Sequence, residues 1–486
     1  ETEEVPRKRI VESGIRIDSD EELIKRSLIK VGIRDVLGVD FMLTVAPNEK
    51  RVRVPEDVLV LERTQWGNFY GYLTGVKEGD RTVDVASAAM WDELEVRLHR
   101  VKELRERIEH IEKADIGAIN FQLEKLRLEK RGLELKGVTG QRPYDQITAR
   151  QDQYTREYEV LKEELDSLYR DIARDSLRAR VMTGDEVEIK LSDVVKAYRP
   201  NAMSLGEKVV FYIKTFWGFV SDDPREANTE GGIFPAIFGT VVMVLLMSII
   251  VAPFGIVAAI YLREYAHQGF ITRLVRISVN NLAGVPSIVY GVFGLGFFVY
   301  VVGGTIDELF YREALPSPTF GSGGVLWASL TLALLTVPVV IVATEEGLSR
   351  IPRSIREGSM ALGATKAETL WRTVLPMASP AMMTGLILAV ARAAGEVAPL
   401  MLVGAVKLAP SLPVDINAPF VHLERKFMHL GFHIYDVGFQ SPNVEAARPL
   451  VYATALILVA VIVILNISAI YIRNHLREKY RNLEQH

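Results

Sequence analysis

The 486-residue sequence contains no cysteine. That excludes disulfides, thiol chemistry and cysteine-ligated zinc. It also has no Gly-x4-Gly-Lys-Ser/Thr loop, so it lacks the backbone cradle that holds nucleotide phosphates. No basic tract is present and the net charge is only −4, which argues against nucleic acid as a partner. No nucleophile–base pairing suggests an enzyme. No signal peptide or leading apolar span opens the chain, which starts at Glu1.

What is present divides into two unlike halves. Residues 1–232 are rich in charge, and residues 233–472 are apolar in long blocks, so the 24% charged fraction averages two compositions. In the first half, Val58–Leu61 and Asn68–Thr74 read as strands, and a Lys77-Glu-Gly-Asp80 turn separates them from Thr82–Val85. Glu186–Leu191 alternates like a strand and is expected to return to the same β unit. Between them lie two heptad series. The first runs through Leu94, Val101 and Ile108, then Ile119, Leu126 and Leu133. The second runs through Ile147, Tyr154, Leu161, Leu165, Leu168 and Ile172. Gly137, Gly140 and Pro143 separate them, so the pattern predicts an antiparallel coiled-coil hairpin over about 90–180. At 1.5 Å per residue, a second helix of roughly 30 residues would project roughly 45 Å. A structural spacer and a docking arm for a partner are both open readings of it.

Five apolar stretches reach membrane-spanning length: about 233–262, 277–302, 325–343, 377–404 and 449–472. Arg263, Arg273 and Arg276 flank one side. Arg350, Arg353, Arg356, Lys366 and Arg372 share that side, as do Arg473, Arg477, Lys479 and Arg481. The intervening loops are poorer in basic residues, so the basic side is expected to be cytoplasmic. The C-terminus is then cytoplasmic and residues 1–232 are outside, periplasmic in a diderm bacterium. A further span upstream of Glu1 is expected on this reading.

Polar groups inside these stretches are the candidate pathway residues. Arg392 and Glu396 lie in the fourth stretch, four apart and so expected on one helix face. A buried self-neutralising pair is one reading. The other is an anion pathway lined by Arg392, whose planar fork suits oxyanions, with Glu396 orienting or gating it. Asn280, Asn281, Ser287 and Tyr290 are uncharged donors in the second stretch, open to lining a pathway or to binding helices together, and Gly284 and Pro286 permit a kink between them. His429 and His433 have metal-compatible spacing near His422. No carboxylate repeat supports a metal site, and the segment reads as interfacial.

The polar loop between the third and fourth stretches carries Glu357-Gly-Ser, then Gly363-Ala364, then Leu375-Pro376. It resembles the Glu-Ala-Ala loop of type I permeases of ATP-binding-cassette importers, with Gly358 and Ser359 at the Ala-Ala positions and Thr373 at the Ile position. Val285–Gly294, Arg392–Met401 and Gly438–Pro442 sharpen the likeness. Residues 220–480 resemble the A-type permease subunit of the phosphate-specific transport system, in a long variant. The resemblance implies an α-helical integral membrane protein with a type I permease core, joined to an extracytoplasmic α+β domain. Residues 233–475 would form the permease, with a cytoplasmic coupling loop at 345–376 and a tail at 476–486. It implies a bacterial inner-membrane location, a second (C-type) permease subunit, an ATPase dimer that binds ATP and Mg, and a periplasmic phosphate-binding protein. This chain would bind no cofactor and no metal itself. Rival expectations are a permease for sulfate or molybdate, or a membrane-anchored coiled-coil scaffold that transports nothing.

Overall fold

The structure, a computed structural model, describes residues 2–7, 22–30, 36, 38, 41–45, 54–83, 89–225, 228–415, 418–441 and 444–484. Asp84 and Val85 of the expected third strand, Pro442 and the last two residues of the tail lie outside these. The chain forms two compact units, Glu1–Gly218 and Phe219–His486. Their boundary falls ahead of the 232/233 division expected from the apolar blocks.

The first unit contains two sheets. Strands β1 (Thr2–Pro6), β2 (Leu23–Lys30) and β3 (Phe41–Val45) form a small antiparallel sheet that burial of Val5, Ile24 and Val45 holds together. The larger sheet is built from β4 (Leu59–Arg63), β5 (Phe69–Glu78), β6 (Arg81–Thr82), β7 (Asp175–Arg180), β8 (Glu186–Lys190) and β9 (Val194–Tyr198). Its order is β8-β7-β5-β4-β9, with β6 paired to β5. Alternation places Leu177 and Ala179 on the buried face beside Leu61, Phe69 and Leu191.

Three helices rise between β6 and β7. Helix α1 (Met90–His110) passes through a π-helical turn at Ile111–Asp115 into α2 (Ile116–Leu135), and α3 (Gln141–Ile172) returns. Gly137, at φ +67°, supplies the left-handed residue where α2 ends. The heptad residues Leu94, Val101, Ile108, Ile119, Leu126, Ile147 and Ile172 are buried, because each faces the neighbouring helix or the sheet.

Asp175 sits at the root of these helices and is fully buried. Its carboxylate meets Arg97 at 3.1 Å and Arg100 at 2.9 Å from α1, and Arg174 at 2.9 Å. One buried negative charge is thus enclosed by three guanidinium groups, and it ties α1 to β7.

The second unit is helical. Its membrane-length helices are α5 (Phe234–Tyr265), α7 (Ser287–Phe310), α8 (Val325–Ser349), α10 (Lys366–Gly395) and the apolar part, Ala447–His475, of α13 (Val444–Glu484). Helix α4 (Leu205–Ser221), most of which belongs to the first unit, precedes them, α6 (Phe270–Leu282) lies between α5 and α7, and α9 (Arg353–Ala361) between α8 and α10. Short helices α11 (Ala398–Val403) and α12 (Leu430–Tyr435) lie between α10 and α13. Helix α8 is the centre of the bundle. Small residues let its neighbours approach: a Cβ on Gly255 of α5 would stand 2.6 Å from Val340, and one on Gly385 of α10 would stand 2.6 Å from Ala343.

Two spans differ from the sequence expectation. The stretch 277–302 is not one helix. Residues 270–282 form the separate, strongly amphipathic α6, the backbone turns at Ala283–Pro286, and the membrane-length helix runs on to Phe310. Proline and the preceding residue disfavour continued helix, which sets the break. The stretch 377–404 is likewise interrupted. Its helix already starts at Lys366, ends at Gly395, and resumes only as the short α11.

Replacement of Asp175 by Ala would leave the buried Arg97, the half-buried Arg100 and the exposed Arg174 without their common partner. We expect a loss of about 3–5 kcal/mol in this unit's stability, read as faster hydrogen exchange of the slowest β5 and β7 amides in the full chain.

A charged break in the fourth span and a polar helix between spans

The interruption after α10 brings three of the six candidate pathway residues, Arg392, Glu396 and Tyr290, to one place. Arg392 lies in the last turn of α10, and Glu396 is the residue just past its end, in extended geometry at ψ 134°. The expectation that both share a helix face is therefore corrected: Glu396 is off the helix, and its backbone is turned by the break. The pair still meets, with Arg392 Nε 3.6 Å from Glu396 Oε1. That distance is an ion pair and not a hydrogen bond. Neither side chain is fully buried, at 34% and 20% exposure. Among the described residues, Arg392 makes no side-chain hydrogen bond beside this ion pair.

Pro399 starts α11 and carries it against α7. A Cβ on Gly291 would stand 2.6 Å from Pro399 Cα, so only glycine permits this approach. Tyr290, the neighbour of Gly291, is buried, and it lies within electrostatic reach of Arg392. Its hydroxyl donates to the Leu282 carbonyl at 2.6 Å. That carbonyl lies at the end of α6, where it also accepts from the Val285 amide at 3.2 Å. Tyr290 is thus a clamp across the α6–α7 break, with its hydroxyl already engaged.

Ser287 is the first residue of α7 and half-buried. Asn280 and Asn281 are both exposed near the end of α6, on a different helix from Tyr290. The sequence places these four in one apolar stretch. The break separates them, and the structure joins only Tyr290 to the Arg392 neighbourhood.

The loop between spans three and four is half helix. α9 covers Glu357, which is exposed. A turn follows at Leu362–Thr365, where Gly363 has φ +92° and donates to the Met360 carbonyl at 2.9 Å, while the half-buried Ala364 donates to that of Ser359 at 3.3 Å. Thr365 then opens α10 with a capping box. The Glu368 amide donates to the Thr365 hydroxyl, and the Thr365 amide donates to the Glu368 carboxylate. Leu375 and Pro376 lie inside α10, not in a loop. The π-helical turn Leu370–Val374 directly precedes them and accommodates the proline, which cannot donate to the ladder.

α9 is tied to two spans through Arg356. Its guanidinium donates to the Ile351 carbonyl at 2.7 Å and the Leu348 carbonyl at 2.8 Å, and pairs with Glu264 of α5 at 2.9 Å. Lys366 donates to the Glu264 carbonyl and lies 4.6 Å from the Tyr265 ring. At the tip, Leu362 is 92% exposed and Trp371 is 70% exposed. Sequence reasoning missed both. The signal was there: large apolar residues in a stretch otherwise chosen for polarity.

His422, His429 and His433 are all buried, and their partners tell them apart. His429 caps α12 by accepting from the Gly431 amide at 3.1 Å, and His433 lies one turn on. Burial pushes His429 down to about 3. It pushes His433 down to about 4, against the raising effect of Asp436. Both are neutral near pH 7. His422 is instead held between Asp415 at 3.0 Å and Glu424 at 3.2 Å. No group of three or more potential metal ligands occurs among the described residues.

Five membrane-length helices, a polar helix fixed between the third and fourth, and an arginine at a break in the fourth define an integral-membrane transport component. Comparison with known proteins gives the family. Residues 251–482 match the family described as "Binding-protein-dependent transport system inner membrane component". The Mycobacterium tuberculosis (strain CDC 1551 / Oshkosh) "Phosphate transport system permease protein PstA 1" is 33% identical over 244 residues, covering 50% of this chain and 71% of that protein. The Methanocaldococcus jannaschii "Probable phosphate transport system permease protein PstA" is 32% identical over 189 residues, covering 38% of this chain and 60% of that protein. A solved chain of the MetNI methionine ABC transporter aligns over 56% of this chain and 99% of its own at 18% identity, with a TM-score of 0.36. The chain belongs to the phosphate transport system permease family. It is a multi-pass inner-membrane transport subunit and not an enzyme.

The two buried histidines make stability depend on pH. Their folded pKa values lie below the ordinary 6.5, so the unfolded chain binds more protons. Stability is full above pH 6.5 and falls as pH drops toward 4, by up to about 1.4 kcal/mol per pH unit for each histidine. Thermal unfolding in detergent from pH 7 to 4.5 should show a shallower decline for His433→Leu than for the wild type.

Proposed function

We propose that this chain is the A-type permease subunit of an ATP-driven importer of inorganic phosphate. It would form half of the translocation pathway beside a second, C-type permease. A periplasmic binding protein would deliver phosphate, and a separate ATPase pair would bind ATP and Mg. The relatives supply the substrate class, since they are named as phosphate transport permeases. The observation that carries the pathway is Arg392: a guanidinium at a helix break, with one 3.6 Å ion pair as its recorded partner. A planar fork with free donors suits a tetrahedral oxyanion, and Glu396 keeps the local charge low enough that the anion leaves again. Strong binding at this point would slow transport, because a pathway site must release what it takes.

The basic flanks favour a cytoplasmic position for α9 and the C-terminus, with residues 1–232 outside as an α+β domain bearing a coiled-coil hairpin. On that reading Glu357, Gly363, Ala364, Leu375 and Pro376 belong to the ATPase-coupling segment. The bare side chains of Leu362 and Trp371 would be its contact with the ATPase. The exposed apolar faces of α6 and α7, which include Ile271, Leu274, Val289 and Phe293, fit the second permease. Asn280, Asn281 and Ser287 would line the pathway mouth near the α6–α7 break. ATP-driven movement of α9 would reach the spans through Arg356 and Glu264, and the opening at Arg392 would change sides.

Two measurements test these parts separately. Arg392→Ala should lower phosphate uptake by tenfold or more, roughly the loss of one charge-assisted hydrogen bond of about 1.5–3 kcal/mol, with the complex still assembled. Arg392→Lys should retain a fraction. Uptake at the wild-type rate in Arg392→Ala would remove Arg392 from the pathway, and equal uptake of sulfate would broaden the substrate class. For coupling, Gly363→Val forces a β-branched residue into left-handed geometry and should release the ATPase during purification. Recovery of an intact, fully active complex from that variant would reject the docking role.

A further inference from the structure

Among the described residues, helix α4 is the one helix longer than nine residues with none buried. At 100° per residue its 17 positions divide cleanly. Leu205, Val209, Tyr212, Ile213, Phe216 and Trp217 share one half of the surface. Glu207, Lys208, Lys214 and Thr215 occupy the other. Phe211, on the polar side, packs on Tyr198 with ring centroids 4.5 Å apart. The apolar half is bare: Leu205 is 83% exposed, Tyr212 72% and Trp217 70%. Soluble surfaces rarely leave such a stripe open to water.

The far end of α4 is fixed at the head of a membrane span. The Ile233 amide donates to the Phe219 carbonyl at 2.9 Å, and the Phe234 amide donates to the Asp222 carbonyl at 3.2 Å. Phe219 and Val220 pack with Ile233, Ala236, Leu430 and Ile457. Phe234 is where α5 begins, so α4 ends at the level where the bilayer starts. A helix of 17 residues carrying three charges is ill suited to cross that bilayer, which takes about 20 apolar residues. A two-faced helix with lysines on one side and aromatic residues on the other suits the headgroup boundary, where Trp and Tyr collect.

We infer that α4 lies in the plane of the membrane surface at the end of the bundle where α5 starts. Its apolar half would enter the acyl–headgroup boundary. This inference needs only the membrane location of the spans and is independent of the phosphate reading.

The absence of cysteine makes the test direct, because a single introduced cysteine takes a nitroxide label alone. The full chain, in vesicles of phosphatidylethanolamine and phosphatidylglycerol, would be labelled at Ile213→Cys, Trp217→Cys, Glu207→Cys or Lys214→Cys. Val160→Cys on α3 gives an aqueous reference, and Ile464→Cys on α13 a lipid reference. The ratio of collision with oxygen to collision with a water-soluble nickel chelate should be severalfold higher at 213 and 217 than at 207 and 214. Equal ratios on the two faces would place the helix in water and overturn the inference. Exclusion of both reagents at 213 and 217 would show a protein covering the stripe, and would overturn it too. A lipid-borne photoactivated carbene provides a measurement without substitution. It should label the wild-type peptide 205–221, and absence of label there would reject the membrane contact.

Discussion

Inside hydrocarbon no water satisfies a loose amide or carbonyl, and each one costs several kcal/mol. The permease unit is arranged around that constraint wherever its helices stop. Where α6 ends, the Leu282 carbonyl accepts from the Val285 amide at 3.2 Å and from the Tyr290 hydroxyl, which reaches back to it, at 2.6 Å. α8 begins with orphan amides at Val325 and Leu326, and the loop carbonyls of Arg425 and Leu423 accept from them. α8 ends at Ser349, and the carbonyls of Leu348 and Ile351 are taken by Arg356. Gly324 donates to Val403 beside the end of α11. Each interruption thus has a supplied partner, and the supplied partners are what lock one segment to the next.

The same kind of bond fixes each of the two candidate regions to its neighbours. Arg356 serves as a helix-end cap, an ion-pair partner for α5 and the root of α9 at once. Displacing α9 therefore strains two spans and cannot be absorbed in a slack loop. At the other region, glycine spacing sets the fit. Gly291 admits Pro399, and Gly294 admits Thr331, so α7 rests on the interrupted part of the fourth span with no spare volume. Changes at one contact are felt at the other because close-packed interiors compress little.

Much of this was legible in the sequence, and the failures have physical causes. Long uncharged blocks gave five spans because transfer to lipid depends on composition over a window, which the sequence states directly. Heptad residues such as Leu94, Val101 and Leu126 announced their burial for the same reason. Boundaries were less visible. A proline in an apolar block is compatible with a kinked helix or with two helices, and Pro286 and Glu396–Pro399 turned out to separate segments. The strand Asp175–Arg180 was missed because its inner face is led by Asp175, a charged residue whose burial depends on arginines from distant parts of the chain. Asn280, Asn281 and Tyr290 looked equivalent as donors. Only the fold shows that the tyrosine is spent on a backbone carbonyl. Leu362 and Trp371 went unnoticed because a polar loop draws attention to its charges.

α10 runs unbroken for 30 residues from the capping box at Thr365 to Gly395. Its prolines, Pro376 and Pro380, and its π-helical turn all lie in the half nearer Trp371. A helix gives first at its irregular turns and prolines. A push at the Trp371 end would be taken up there as bending, and the proline-free stretch from Ala381 to Gly395 would carry Arg392 as one piece.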